Sequence, residues 1–332
     1  MSGAVHLVSG REVRSRPTLM AAVRRSAARR DERIVSLGAA LRGAAVTIPM
    51  PAGRIGIASG VLSRWAGLQM RPDEVLLAWD TAAVCVASET QQPIAAVLDG
   101  LPHPGRITRC AASLIGLASV PLMAGSTATA EKLGGTSPVV GCGGPLPAAK
   151  EIYPRHDRQY VRVIFAAEPD GQGQMLPLVG VLGRLHLLGI QIQICIAGTP
   201  ADAPQMCSML ADIGIEDVVM CGAGNSVSQP GDVVYLPVSS PSIGVVPPVA
   251  PAVMAWSSGA DIVLPVSHPA IPLLGGVPGV RVMQDTDDVV RWIVGGRDED
   301  VASRVEVADG WRSEMDRTLD DFVAVTARTG GS

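Results

Sequence analysis

The sequence predicts an α/β protein with two doubly wound domains, each a parallel sheet with helices on both faces. Short apolar runs that suit buried parallel strands alternate with amphipathic segments along almost all of the 332 residues. The alternation is interrupted at residues 143–158, whose glycine, proline and charged residues are typical of a linker, and it restarts afterwards. We therefore expect a first domain at 1–145, a second at 159–300 and a terminal segment at 301–332.

In the first domain, the predicted strands are apolar runs and the predicted helices have one apolar and one polar side. Residues 18–30, for example, place Leu19, Met20 and Val23 opposite several arginines. The predicted strands are 4–9, 33–37, 45–49, the end of 71–80, 93–98, 121–125 and 138–142. The predicted helices are 18–30, 57–66, 81–88, one that begins near residue 110, and one capped by Ser126 or Thr127 that ends at Leu133.

In the second domain, the predicted strands are 160–166, 190–197, 218–221 and 280–283, and the predicted helices are 176–188, 204–213, 286–294 and about 301–325. Residues 231–265 between them read as strand, proline-rich loop, helix, glycine stop and strand. A loop from a strand to a helix is a common phosphate site, because free backbone N–H groups converge there. Here, however, the chain carries no charged side chain between Asp232 and Asp261.

Composition excludes several classes of function. A formal net charge of −4 and an aromatic content of only 3% argue against binding to nucleic acid. The six cysteines form no Cys-x-x-Cys pair and have no histidines at zinc-ligand spacing, so we expect no metal, no cofactor and mostly buried thiols in a reducing compartment. The first apolar run is too short for a secretory signal, and we expect a cytoplasmic protein.

Two uncharged stretches are long enough to be compared with membrane spans. Residues 110–130 contain serines, threonines, a proline and glycines, which suits a buried helix followed by a buried strand. Residues 233–260 contain five prolines, which a continuous spanning helix does not tolerate. We therefore expect no membrane span.

The order of these elements resembles that of the GT-B glycosyltransferases of the retaining, glycogen-synthase-like group. The similarity extends over nearly the whole chain and is carried by local patterns at 71–79, 123–133, 138–144, 163–185, 194–198 and 251–263. The resemblance implies two Rossmann-like domains and a terminal helix that packs back towards the first. It also implies metal-independent transfer of a sugar from a nucleotide-sugar donor to an acceptor.

The residues with which this family binds its donor are replaced here. The family uses a Glu-x7-Glu pair for the sugar and the ribose, and alignment on Gly259 puts Val246 and Met254 at these positions. It also uses an arginine and a lysine after the first strand of the second domain, and alignment on Gly173 puts Gln172 at the lysine position. No lysine or arginine lies between Arg184 and Arg281 to replace them.

Other residues are candidates for a site from their positions after predicted strands. His103 is either a general base or an exposed loop residue, and Asp80 is either an acid at the cleft or a helix cap. The turn at Gly198 suits a base or ribose, and the arginines of 9–17 either bind an anion or are simply solvated. The candidate substrate-binding residues are therefore Gln172, Gly173, Gly198, Val246, Met254 and His103.

Two functional hypotheses follow. In the first, the chain is a divergent glycosyltransferase that takes a nucleotide-sugar donor. In the second, it is a catalytically inactive homologue that acts as a binding or scaffold partner of another protein. The second is favoured by the apolar character that Val246, Met254 and Trp256 would give to the donor side.

Overall fold

A computed structural model describes residues 3–51, 54–101, 105–117, 120–133, 161–166, 176–197, 203–221, 228–238, 246–295 and 301–329. The chain divides into two compact units. The first is formed by Met1–Ala148 together with Trp311–Ser332, and the second by Ala149–Gly310.

The first unit contains a six-stranded parallel sheet. Its strands are β1 (Ala4–Ser9), β2 (Arg33–Leu37), β3 (Val46–Ile48), β4 (Val75–Ala78), β5 (Ile94–Leu98) and β6 (Leu122–Ala124), in the order β3-β2-β1-β4-β5-β6. The chain leaves β1 towards β2 and β3 and then returns to the other side of β1 to form β4. The strand order therefore reverses between β1 and β4.

Helices cover both faces of this sheet. They are α1 (Gly10–Ser15), α2 (Pro17–Arg30), α3 (Ile55–Gln69), α4 (Thr81–Ala87), α5 (Arg106–Gly116) and α6 (Thr127–Leu133). Right-handed crossovers place α1 and α2 on one face and α3, α4 and α5 on the other. All seven residues of α4 are buried, because it lies between α3 and α5 against the sheet.

The second unit repeats this architecture. Its strands are β7 (Val161–Ala166), β8 (Ile192–Ala197), β9 (Val218–Cys221), β10 (Val233–Tyr235), β11 (Asp261–Pro265) and β12 (Val280–Met283). They are all parallel, in the order β12-β11-β10-β7-β8-β9, so the reversal lies between β7 and β10. The helices are α7 (Leu176–Leu187), α8 (Ala203–Asp212), α9 (Ala250–Ser257), α10 (Ile271–Leu274) and α11 (Thr286–Val294).

The last helix, α12 (Val301–Thr329), contributes to both units. Near its beginning, Arg304 is buried against β11 in the second unit. Further along, Met315, Leu319 and Val323 join the hydrophobic core of the first unit. The same part of α12 presents aspartates to the arginines of α2; the ion pairs are Arg25–Asp316, Arg29–Asp320 and Arg30–Asp320.

The predicted fold class, two Rossmann-like halves with parallel sheets, is confirmed. The sequence does not predict α1, because one glycine and three arginines in residues 9–17 are typical of a loop. It also did not predict the four-residue helix α10. The predicted strand at 138–142 lies outside the described residues. In the described part of the chain, no helix is both long enough and apolar enough to cross a membrane.

Candidate functional site

In doubly wound sheets, ligands bind beyond the carboxyl ends of the strands, where the strand order reverses. In the first unit this point is formed by the ends of β1 and β4, which carry Ser9 and Asp80. In the second unit it is formed by the ends of β7 and β10, followed by the loop that leads to α9. Each of these two edges is therefore a candidate functional site.

Asp80 fills the reversal point of the first sheet with a buried carboxylate. Its Oδ1 accepts a hydrogen bond from the Ala83 N–H at 2.9 Å, which caps α4, and its Oδ2 accepts one from the Ser9 N–H at 2.6 Å. Burial raises the pKa of Asp80 to about 6, although the two N–H groups act in the opposite direction. The protein's own carboxylate thus occupies the place where a bound anion would meet the start of α1.

A buried chain of polar groups lies next to this point. The Trp79 Nε1–H donates to His6 Nδ1 at 2.9 Å, so the imidazole proton is on Nε2, which donates to Glu32 Oε2 at 2.8 Å. Burial lowers the pKa of His6, which keeps the ring neutral. The sequence analysis missed this arrangement; its only signal was a histidine inside the apolar run of β1.

Close backbone contacts complete the edge of the first sheet. A Cβ atom on Gly10, at the start of α1, would lie 2.7 Å from the Cβ of Ala39. A Cβ atom on Gly125, after β6, would lie 2.3 Å from Oδ1 of Asp99. Only glycine fits at these two positions, and the segments that follow the strands are packed directly against each other.

The two described residues at which the family resemblance implies carboxylates are apolar. Val246 is buried, and Met254 lies half-buried in α9. The first turn of α9 also has few donors for a phosphate. Pro251 has no N–H group, and the N–H group of Ala252 donates to the carbonyl of Val249 at 3.1 Å.

The described arginines of the second unit are already paired. Each of the five that the structure describes has an aspartate partner; the pairs are Arg162–Asp232, Arg184–Asp287, Arg281–Asp288, Arg291–Asp288 and Arg304–Asp261. The segments that follow β7, β8, β9 and β10 contain no lysine or arginine in the sequence; these are 167–175, 198–202, 222–230 and 236–249. The first two of them contain Glu168, Asp170 and Asp202.

Four of the candidate site residues, His103, Gln172, Gly173 and Gly198, lie outside the described residues. A further loop histidine, His268, is buried, and its Nδ1 accepts the Ala270 N–H at 3.1 Å. Burial lowers the pKa of His268 to about 4, so it is a neutral structural residue.

The described cysteines and acids show no metal-binding arrangement. In the part of the chain that the structure describes, no group of three or more His, Cys, Asp or Glu residues could hold a metal ion. Cys85, Cys110 and Cys207 are free thiols. Cys195 is disulfide-bonded, which the sequence analysis did not anticipate.

Comparison with known proteins gives matches at the level of three-dimensional structure. No protein-family model and no curated protein sequence matches the chain. The lipopolysaccharide outer core galactosyltransferase WaaB is similar with a TM-score of 0.62 and 12% identity, over 97% of this chain and 99% of that one. A glycosyltransferase from Rickettsia africae ESF-5 has a TM-score of 0.64 and 8% identity, over 98% of both chains.

Proteins of another activity share this architecture. A putative UDP-N-acetylglucosamine 2-epimerase from Listeria monocytogenes is similar with a TM-score of 0.56 and 10% identity, over 92% of this chain and 91% of that one. The chain therefore has the GT-B fold, as its resemblance to the glycosyltransferases implied. At these identities the likeness establishes the fold, and the function must be argued from the site.

Proposed function

We propose that this protein is a glycosyltransferase homologue that does not use a nucleotide-sugar donor and acts instead as a binding or scaffold partner. The observation that carries this proposal is the absence of lysine and arginine from the sequence segments that follow β7, β8, β9 and β10. The described arginines of that unit are paired with aspartates, and the segments after four of its strands contain no cation.

Sugar transfer from a nucleotide-sugar needs those cations. Negative charge grows on the departing diphosphate, and preorganised positive groups stabilise it. A cation about 4 Å from a phosphate contributes roughly 4 kcal/mol at the effective dielectric constant of a protein surface. Glu168 and Asp170, in the segment after β7, add negative charge to the same stretch of sequence and disfavour a diphosphate further.

The start of α9 supports the same proposal. A helix amino terminus binds phosphate through N–H groups that lack a partner within the helix. In α9, Pro251 removes one such group, and the Val249 carbonyl accepts that of Ala252. Val246 and Met254 replace the family's carboxylates with side chains that suit an apolar partner.

A divergent glycosyltransferase is the second candidate, and one observation favours it. Asp80 lies at the reversal point of the first sheet, and its pKa of about 6 suits a group that takes up and releases a proton near neutral pH. In that case the donor would be a nucleotide-sugar, held by contacts other than those the family resemblance implies.

Nucleotide titration distinguishes the two candidates. We expect no change in melting temperature on addition of millimolar UDP, GDP or ADP, with WaaB measured alongside as a GT-B comparison. A donor site at tenfold nucleotide excess would be stabilised by about 1.4 kcal/mol, which a thermal-shift measurement detects. Stabilisation by any of the three nucleotides would contradict the proposal and favour the divergent transferase.

A matched pair of variants tests the reason for the missing binding. Gln172→Lys restores the cation at the position that the resemblance assigns to the family lysine, and Gln174→Lys places the same charge two residues away. We expect UDP to stabilise the first variant more than the second. Equal stabilisation of the two would show only a general effect of charge.

A further inference from the structure

Two helices of the first unit expose apolar side chains on the same face of the sheet. On α3 these are Ile57, Val61 and Leu68, which are 45%, 41% and 74% exposed. On α5 and its C-cap they are Ile107 and Leu117, which are 37% and 77% exposed. Because α3 and α5 both pack against the buried helix α4, their outer sides belong to one surface, called here the α3–α5 face.

The spacing on α3 concentrates these side chains on one side of the helix. Ile57, Val61, Arg64 and Leu68 follow each other at intervals of four, three and four residues, the repeat of a single helical stripe. The opposite stripe, with Ala58, Leu62 and Ala66, is buried against the protein. The exposed apolar stripe is therefore additional to the one that the core uses.

The charges on this face are positive. Arg54 and Arg64 at α3 and Arg106 and Arg109 on α5 are all exposed, and none of them forms an ion pair with another described residue. Neither helix contains an aspartate or glutamate. Their acidic neighbours are Glu89, beside Gly56, Glu131 on α6, which packs against α5, and Glu74, which pairs with Arg33. The two helices and Arg54 together carry four arginines and no acid of their own, whereas the chain as a whole has a net charge of −4.

We propose that the α3–α5 face docks on the surface of an anionic phospholipid bilayer. A helix with apolar residues and arginines on its exposed side lies in a bilayer interface with the apolar groups inserted and the cations near lipid phosphates. Each arginine near an anionic membrane strengthens binding by a factor of about five. The proposal holds whether or not the protein binds a nucleotide-sugar, since the α3–α5 face is separate from the two sheet edges.

Charge also argues against a second copy of the chain as the occupant. A symmetric dimer through this face would bring the same surface of both copies together, so the four arginines of one copy would face the four of the other. Like charges at such an interface are unfavourable, whereas lipid phosphates neutralise them.

Vesicle flotation with the full-length protein tests the proposal. We expect the protein to float with vesicles of phosphatidylcholine and phosphatidylglycerol, to remain behind with phosphatidylcholine alone, and to dissociate as salt is raised. The double variant Arg64→Gln/Arg106→Gln should bind about 25-fold more weakly, at a factor of about five for each charge. Val61→Ser/Leu68→Ser should also lose binding, because its apolar groups no longer insert.

Matched controls change exposed residues elsewhere. Leu187→Ser, at a leucine of the second unit that is 85% exposed, and Arg328→Gln, near the end of α12, should bind like the unmodified protein. The proposal is overturned if the unmodified protein does not float with anionic vesicles, or if the α3–α5 variants bind no more weakly than the controls. It is also overturned if light scattering shows a dimer that Val61→Ser/Leu68→Ser disrupts while no vesicle binding occurs.

Discussion

At the scale of single residues, buried polar groups determine what the edge of the first sheet can bind. Asp80 could serve as an acid or as a helix cap from its place in the sequence, and the structure shows it as a cap. Both carboxylate oxygens accept backbone N–H groups, one from Ala83 within α4 and one from Ser9 at the end of β1. The side chain thus joins two neighbouring strand ends.

Asp80 should make stability depend on pH. Its pKa is raised from 3.8 to about 6, so the folded chain binds the proton more tightly than the unfolded chain. Its contribution to stability is therefore fully present below pH 3.8 and decreases as the pH rises through about 6, by about 3 kcal/mol in total. The free energy of unfolding can be measured by urea denaturation for the unmodified protein and for Asp80→Asn. The value for the unmodified protein minus that for the variant should fall by this amount as the pH rises from about 3.8 to about 6.

A difference that stays constant with pH would contradict this prediction. A difference that grows with pH would mean that the hydrogen bonds from Ser9 and Ala83 outweigh the effect of burial.

At the scale of elements, a buried ion pair attaches α12 to the second sheet. Arg304 is 1% exposed; its Nη2 donates to Asp261 Oδ1 and its Nη1 to the carbonyl of Ala260, both at 3.0 Å. Gly279, just before β12, leaves the space for the guanidinium. A Cβ atom on Gly279 would lie 2.1 Å from Arg304 Nη2.

The substitution Gly279→Ala should therefore displace Arg304 and leave buried charges unpaired. We expect a loss of about 3–5 kcal/mol in the free energy of unfolding, as for other broken buried ion pairs. Gly276→Ala is the matched control, because Gly276 also has a positive φ but has no atom within 4 Å of the added Cβ. Its cost should be only the backbone strain, about 1–2 kcal/mol. Equal losses in urea denaturation would show that Arg304 is not displaced.

At the scale of the whole molecule, the last residues of the chain complete the core of the first unit. Residues 311–329 of α12 bring Met315, Leu319 and Val323 against α2 and the sheet. Arg25, Arg29 and Arg30 of α2 add ion pairs to Asp316 and Asp320. The first unit is therefore assembled from both ends of the sequence.

The C-terminal part of α12 should accordingly contribute strongly to stability. Leu319→Ala removes a side chain that is 2% exposed and should cost about 2–5 kcal/mol. Val325→Ala, at a position on the same helix that is 51% exposed, should change stability by less than about 0.5 kcal/mol. Both values follow from urea denaturation, and a cost of Leu319→Ala no larger than that of Val325→Ala would contradict the packing described for α12.

The sequence predicts much of the architecture because its signals are local. An apolar run of five or six residues, such as β2 or β1, indicates a buried strand, and amphipathic segments such as α2 indicate the helices between strands. The missing cations are also readable directly, because no lysine or arginine occurs between Arg184 and Arg281. That Val246 and Met254 stand at the positions of the family's two donor-site glutamates stays a prediction.

The buried polar contacts of both units were decided by tertiary structure. His6 bonds to Trp79, Ser9 to Asp80 and Arg304 to Asp261, and these partners are 73, 71 and 43 residues apart. No local pattern identifies such a partner, because the two residues meet only once the sheet has formed. Burial then removes water from each polar group, and the group needs a hydrogen-bond partner from a neighbouring element. The sequence by itself determined two parallel sheets and a stretch without lysine or arginine between Arg184 and Arg281, whereas only the folded chain decided that Asp80 would close the first edge.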